Sequence, residues 1–247
     1  MTQEEYEKVL QAALGGDVES QYQMGILHAR GDMGSVNLNE AAQWFEKAGA
    51  QGHPDSLCNY AFLLYSGTGV EKDIARSLEL FEQAASLGQK QAMLNLGIYY
   101  INSDEPQIEK GVNYLKKAAE EGEAEAAYTL GILHFEGKKV QQDLSLAYEY
   151  FQQGAEAGDP ESLYSLGFLY SKGYGVEKDS AKAVEYYRMA AEKGHASAQF
   201  NLGLHHEYGE GGLEKDSEEA IFWYQKASNQ GHQKAAEAIQ LLDSSES

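Results

Sequence analysis

Apolar residues recur along this chain in a short frame that repeats about every 36 residues. A small residue stands at the centre of each frame: Gly25, Ala61, Gly97, Gly131, Gly167 and Gly203. Apolar side chains lie one and three residues before each centre and one and two residues after it, which gives a segment of helical length and periodicity. We therefore predict a helix around each centre, which we call helix A, and we count its positions from that centre.

The predicted core of helix A is a set of columns of equivalent residues. The residue before the centre is Met24, Tyr60, Leu96, Leu130, Leu166 or Leu202. The residue after the centre is Ile26, Phe62, Ile98, Ile132, Phe168 or Leu204. Six residues after the centre stands a glycine, except at Ser103, and this glycine suits the left-handed conformation that closes a helix.

A second apolar pattern follows the loop and predicts a second helix, which we call helix B. In the fifth copy it reads Ala183, Tyr186, Tyr187 and Ala190. Spacings of three and four place these residues on one face, where the small columns let helices approach and the aromatic columns fill the space between them. A closing glycine then leads into the next helix A: Gly52, Gly88, Gly122, Gly158, Gly194 or Gly231.

The repeats run almost from end to end, so the chain is predicted to be an array of units that pack on their neighbours. We place an N-terminal capping helix in 1–16 and a C-terminal capping helix with a short tail in 232–247. The six repeats occupy 17–52, 53–88, 89–122, 123–158, 159–194 and 195–231. About fourteen helices result, and the final DSSES is predicted to be disordered.

Residues 165–203 resemble the Sel-1-like repeat (SLR), a relative of the tetratricopeptide repeat with a longer loop between its helices. The resemblance rests on the LG pair, the GxGV loop, an Asp before helix B, the Ala-x-x-aromatic-aromatic step and the final Gly, and it covers residues 17–231 in six copies. Repeat three departs most, since INSDEPQIEKG is two residues shorter and lacks the loop glycines. The resemblance implies an all-α, right-handed superhelical α-solenoid whose helix A lines the concave side.

The formal net charge of −20 narrows the class of partner. Nucleic acids and anionic lipids require clusters of Lys and Arg, so we expect neither, and a basic or polar protein or peptide fits better. No apolar stretch approaches the roughly 20 residues of a membrane-spanning helix. The start MTQEEYEKVL has no basic segment followed by an apolar one, and a single cysteine favours the cytosol, with the periplasm or secretion as the alternative if a signal peptide was removed. We expect a monomer.

Candidate catalytic or metal-binding residues are few. Cys58 stands in a column otherwise held by Tyr, Leu and Phe, so we interpret it as a buried packing residue and not as a nucleophile. The adjacent His205 and His206 are the one pair that suggests a metal, but neighbouring helical residues point about 100° apart. The glycine pairs follow a helix, whereas a nucleotide-binding loop follows a strand. We predict no catalytic residue, no cofactor and no metal.

One face of helix A is a candidate binding surface. Positions six and two before the centre and five after it project within about 40° of one another, and these columns are polar. The polar column, two before the centre, contains Gln23, Asn59, Asn95, Thr129, Ser165 and Asn201. The acidic column, six before the centre, includes Glu19, Asp55, Glu125 and Glu161. Amide side chains both donate and accept hydrogen bonds, so we predict that the polar column holds a peptide backbone while the acidic column selects basic side chains.

We therefore predict a non-enzymatic adaptor or scaffold that binds a partner protein on its helix-A face, which the resemblance supports because SLR proteins typically mediate protein–protein interactions. One alternative is a dedicated inhibitor, or immunity-type partner, of a basic effector. The other is a β-lactam-binding or hydrolysing SLR protein. Such proteins carry paired cysteines in every repeat, whereas this chain has one cysteine in total.

Overall fold

The computed structural model describes residues 2–32 and 34–245, and within them the chain forms fourteen α-helices and no strand. Helices of the A type are α2 (Val18–Arg30), α4 (Pro54–Ser66), α6 (Lys90–Asn102), α8 (Ala124–Glu136), α10 (Pro160–Lys172), α12 (Ala196–Tyr208) and α14 (Gln233–Ser245). Helices of the B type are α1 (Gln3–Leu14), α3 (Leu38–Ala50), α5 (Ile74–Ser86), α7 (Ile108–Glu120), α9 (Leu144–Glu156), α11 (Ser180–Glu192) and α13 (Ser217–Asn229). Each A helix from α2 to α12 packs against the B helix that follows it. The predicted all-helical repeat fold is confirmed.

Local sequence sets where the helices begin and end. Asp179 caps α11, because its Oδ1 accepts hydrogen bonds from the backbone N–H groups of Ala181 and Lys182. Helix α10 ends at Gly173, whose φ of 75° lies in the left-handed region that favours glycine. The irregular third repeat lacks both devices, since α7 starts at Gln107 without a side-chain cap and α6 ends at Ser103 in extended backbone.

The central glycine of helix A permits close contact with helix B. A Cβ atom added to Gly167 would lie 2.7 Å from Cδ1 of Tyr187, whose side chain is 2% exposed. The same pairing of glycine with a large side chain occurs between Gly131 and Phe151. The predicted packing of large against small residues is therefore confirmed, and it fixes how closely α10 and α11 lie together.

The chain divides into two compact units, Met1–Glu121 with α1–α7 and Gly122–Ser247 with α8–α14. The core of the first unit includes one cluster around Ala41, Phe45 and Leu63. The core of the second includes a cluster that joins α10, α11, α12 and α13 and contains Leu163 and Tyr187. Within each unit the apolar core is thus made of clusters that each join neighbouring helices.

The expected disorder of the final five residues is wrong for three of them, because α14 continues to Ser245. Residues 243–245 extend a helix that is already packed on α13 through Ala235, so continuing its backbone hydrogen bonds adds little cost. Residues 246 and 247 lie outside the described residues. In the described part of the chain, no helix has the length and apolar character needed to cross a membrane.

Candidate functional site

The helix-A residue directly after each centre is less buried than the sequence predicted, although Ile26, Ile132 and Leu204 still pack against core clusters. These residues form what we call the apolar column: Ile26, Phe62, Ile98, Ile132, Phe168 and Leu204. All six are partly exposed, and Phe62 is 55% exposed. At 100° per residue this position lies about 60° from the polar column, so the two columns share one face of helix A. The candidate surface is therefore apolar as well as polar.

In the first unit this face forms a shallow depression between α4 and α6. Its walls are Phe62, Tyr65, Asn95 and Ile98, and it encloses about 80 Å³. The Tyr65 and Tyr99 rings meet edge to face across the two helices, with centroids 6.2 Å apart. An amide from the polar column thus stands among exposed aromatic side chains, which is an arrangement suited to a peptide.

The second unit also has depressions on this face. We call the one between α8 and α10 the first depression, and it is larger than the depression of the first unit. It encloses about 230 Å³. Its lining is mainly apolar: Tyr128, Ile132, Phe135, Phe151, Tyr164, Phe168 and Leu169, with Glu161 and Ser165 as the polar members. The Phe135 and Phe168 rings lie edge to face at 6.1 Å. This space could accept one aromatic or branched aliphatic side chain.

A second depression lies between α10 and α12 and encloses about 440 Å³. It shares Tyr164 and Phe168 with the first depression, so the two adjoin. Its other lining residues are mostly polar: Ser171, Lys172, Lys178, Ser180, Tyr187, Asn201, Leu204, His205, Tyr208 and Glu210. Burial raises the pKa of Tyr187 to about 12, so its hydroxyl stays protonated and can donate or accept a hydrogen bond.

The polar column is chemically uneven. The hydroxyls of Thr129 and Ser165 donate hydrogen bonds to backbone carbonyls of their own helices, at 2.7 and 2.8 Å, so their hydrogens are already used. Asn95 and Asn201 instead line depressions, and Asn201 also hydrogen-bonds the side chains of Tyr164 and Tyr187. Gln23 is exposed, and Asn59 is half-buried.

The acidic column is partly engaged within the protein. His195 Nε2 lies 3.1 Å from a Glu161 oxygen, and His53 Nε2 lies 3.5 Å from a Glu19 oxygen. In the intervening repeat, Gln89 Nε2 donates to Asp55 Oδ1 at 3.1 Å. These three carboxylates therefore link one A helix to the start of the next one in the same unit. Glu125 is exposed, and its selection of a partner stays a prediction, as it does for the whole column.

The lone cysteine is a packing residue in this fold. Cys58 is buried in α4, and burial raises the pKa of its thiol to about 12. Since the thiolate is the nucleophilic form, this environment opposes reactivity at neutral pH.

Of the two adjacent histidines, His206 is buried and His205 is partly buried. Burial lowers the pKa of His205 and of His206, so both favour the neutral imidazole. Among the residues that the structure describes, no group of three or more His, Cys, Asp and Glu side chains could hold a metal ion.

Comparison with known proteins adds a family to this geometry. The family model described as Sel1 repeat matches six segments of the chain: 18–53, 54–89, 90–123, 124–159, 160–195 and 196–232. A Sel1-like repeat-containing protein of Acanthamoeba polyphaga mimivirus is 28% identical over 136 residues, which is 55% of this chain and 25% of that protein. The chain spans about a third or less of the length of the curated relatives it matches.

Solved structures agree with the fold. A Sel1 repeat protein from Oxalobacter formigenes superposes with a TM-score of 0.74 at 27% identity, covering 86% of this chain and 85% of that one. The immunity protein Pa5087 from Pseudomonas aeruginosa has a TM-score of 0.55 at 23% identity, with 86% and 81% covered. At that identity the second likeness shows the fold alone.

Proposed function

This chain belongs to the Sel1 repeat family, and from that premise we propose that it binds an extended segment of a partner protein on the helix-A face of a unit. Sel1 repeat proteins generally mediate protein–protein interactions and are mostly non-catalytic scaffolds. The observation that carries the proposal is the apolar column. Exposed aromatic side chains such as Phe62 cost solvation energy in a free protein, and contiguous apolar surface marks interaction sites.

The polar column supplies directional contacts beside that apolar surface. We propose that Gln23, Asn59 and Asn95 in the first unit, and Asn201 in the second, hydrogen-bond the backbone of a segment bound on their own unit, because an amide both donates and accepts. Thr129 and Ser165 retain only acceptor capacity, so their contribution is smaller. Glu125 is the acid whose carboxylate is best placed to attract a basic side chain, since Glu19, Asp55 and Glu161 each contact the next A helix.

Capture from the source lysate, followed by mass spectrometry, tests this proposal. Phe62→Ala and Phe168→Ala each remove an apolar-column ring, and Phe222→Ala removes a ring that is 47% exposed on the B helix α13. We expect a partner that wild type and Phe222→Ala retain and the apolar-column variants lose, with affinity reduced by roughly 10-fold or more for a central aromatic contact. A partner lost only with Phe222→Ala would place the binding surface on helix B instead.

A measurement of rates separates the two polar columns. Replacing Asn59, Asn95 and Asn201 together by Ala should raise the dissociation rate, because short-range hydrogen bonds hold the formed complex. Replacing Glu125 by Gln should mainly slow association with a basic partner, and the effect should fade as salt rises. Surface plasmon resonance at two salt concentrations reports both rates.

The inhibitor alternative uses the same surface and the same test, with a toxin or effector as the captured protein. The likeness to an immunity protein is one of fold, so it does not select this alternative. The β-lactam alternative is not adopted, because the chain has one cysteine and its thiol is buried.

A further inference from the structure

The second depression contains two lysines without an ion-pair partner among the described residues. Lys172 ends α10 and Lys178 lies in the loop before α11, and both are exposed. The sequence has 39 acidic residues against 19 Lys and Arg, so a concave space lined by two lysines and one acid, Glu210, is a local exception to the acidic character of the chain.

Polar groups on the floor of this space suit the same ligand chemistry. Asn201, Ser180 and the Tyr187 hydroxyl line it, and each can donate a hydrogen bond. Tyr187 donates to Ser171 at 3.4 Å, which is a long bond that a stronger acceptor could replace. Glu210 is the one acid in the lining, and its carboxylate lies on the side of His205, 3.9 Å from Nδ1. Two ammonium groups and several neutral donors fit a carboxylate.

We propose that the second unit recognises an extended segment that carries an aromatic or branched aliphatic side chain near an Asp or Glu. The apolar side chain occupies the first depression, and the carboxylate occupies the second. This rests on the proposed function and makes the preferred ligand of this unit locally acidic. Long-range repulsion from the net charge is screened beyond about 10 Å at 0.1 M salt, so contacts within the depression decide the preference.

The adjoining geometry supports one ligand that spans both spaces. Tyr164 and Phe168 line the first depression and also the second, so neighbouring side chains of one extended segment can reach both. An extended chain advances about 3.3 Å per residue and alternates its side chains, so two anchors on the same side are expected two or four residues apart.

An unbiased library of displayed 12-residue peptides, selected against the whole chain, tests the preference. We expect the enriched sequences to pair an aromatic or branched aliphatic residue with Asp or Glu at that spacing. A synthetic, fluorescein-labelled copy of the enriched peptide is then titrated in fluorescence anisotropy. Changing its acidic residue to the neutral amide should weaken binding to wild type by about 2- to 5-fold, the upper part of the range for exposed charge pairs.

Protein variants locate the effect. Lys172→Gln combined with Lys178→Gln should weaken the parent peptide by a similar factor and leave the amide peptide unaffected. The control combines Lys116→Gln with Lys117→Gln, two exposed lysines of α7 in the first unit, and removes the same charge outside the depression. Phe168→Ala should weaken both peptides by roughly 10-fold.

The outcomes separate the two proposals. Enriched peptides that depend on Phe168 but carry basic residues, or that ignore the Lys172 and Lys178 changes, would overturn this inference and leave the proposed function intact. An equal loss in the Lys116 and Lys117 control would also overturn it, because the effect would be one of net charge. If the selection enriches no peptide that depends on Phe62 or Phe168, the proposed function fails together with the inference.

Discussion

The hydroxyl of Ser162, on the next helix, explains why residue 154 is a glycine and not an alanine. Gly154 lies in α9, and a Cβ atom placed there would lie 2.9 Å from Cβ of Ser162 in α10 and closer still to its Oγ. Ser162 is fully buried, and its Oγ makes no hydrogen bond within the described structure. Residues at the equivalent spacing of eight are two alanines in most other repeats, such as Ala190 with Ala198 in one buried cluster. In the first repeat Ala48 faces the buried Ser56, but the Ser56 Oγ lies 3.1 Å from His53 Nδ1. The glycine therefore appears where the facing serine hydroxyl has no such partner.

The size of the effect follows from two opposed terms. Gly154→Ala gains about 0.5–1 kcal/mol from helix propensity. It also forces a methyl group against the Ser162 side chain between two packed helices, and overpacking of this kind costs about 1–3 kcal/mol. We expect a net destabilisation of about 1 kcal/mol. In a Ser162→Ala background only the 2.9 Å approach of the two Cβ atoms remains. A small separation of α9 from α10 relieves it, so the loss should fall close to zero.

A double-mutant cycle measures this coupling. Urea unfolding of the wild type, both single variants and the double variant, followed by circular dichroism at 222 nm, gives an expected interaction energy of about 1 kcal/mol. Because repeat arrays can unfold in parts, hydrogen exchange of α9 and α10 amides provides a second, local measure. Equal losses from Gly154→Ala in both backgrounds would show that the Ser162 hydroxyl is not the obstacle.

Three further predictions address stability, reactivity and pH. Leu166→Ala should lower the free energy of unfolding by about 2–5 kcal/mol because the side chain is fully buried, whereas Phe62→Ser should change it by less than about 1 kcal/mol; urea denaturation compares the two. Cys58 should react with a thiol reagent only as the protein unfolds, since burial raises its pKa to about 12, and rapid labelling of the native protein would contradict this. Burial also lowers the pKa of His206 below its ordinary value of 6.5, because the folded protein favours the neutral imidazole. The stability of the fold should therefore decrease as pH falls below about 6.5. His206→Leu should reduce the difference in urea midpoint between about pH 7.5 and 5.5.

The repeat period and its glycines were enough to predict the helices. Two glycines of the fifth repeat show why. A Cβ atom at Gly167 would collide with Tyr187, and the left-handed conformation at Gly173 that ends α10 favours glycine. Helix bounds and the pairing of A with B therefore follow from local sequence. Division into two units was not predicted, although the boundary falls at the end of the irregular third repeat, because a departure from the repeat pattern does not by itself show where packing between helices weakens.

The candidate site was predicted only in part. Hydrophobicity assigned Phe62 and Phe168 to the core, although the 100° rule places them beside the polar column. The angle between the apolar and polar columns follows from the sequence. Which side of helix A is buried depends on how far helix B extends over it, and that is set by the packing of the two helices. Net charge likewise predicted a basic partner throughout, while the position of Lys172 and Lys178 on one depression required the fold.

The acidic column shows how the binding face and the repeat junctions share residues. His195 caps α12 by accepting a hydrogen bond at Nδ1 from the Ala198 N–H, so Nε2 carries the proton and donates to Glu161. Its ring also stacks on Tyr164, with centroids 4.4 Å apart, and Tyr164 lines both depressions. Replacing Glu161 therefore removes a possible partner contact and loosens a side chain of the groove. Glu125 has no such histidine, because Asp159 stands at the equivalent helix start, so Glu125→Gln tests partner charge without disturbing a junction.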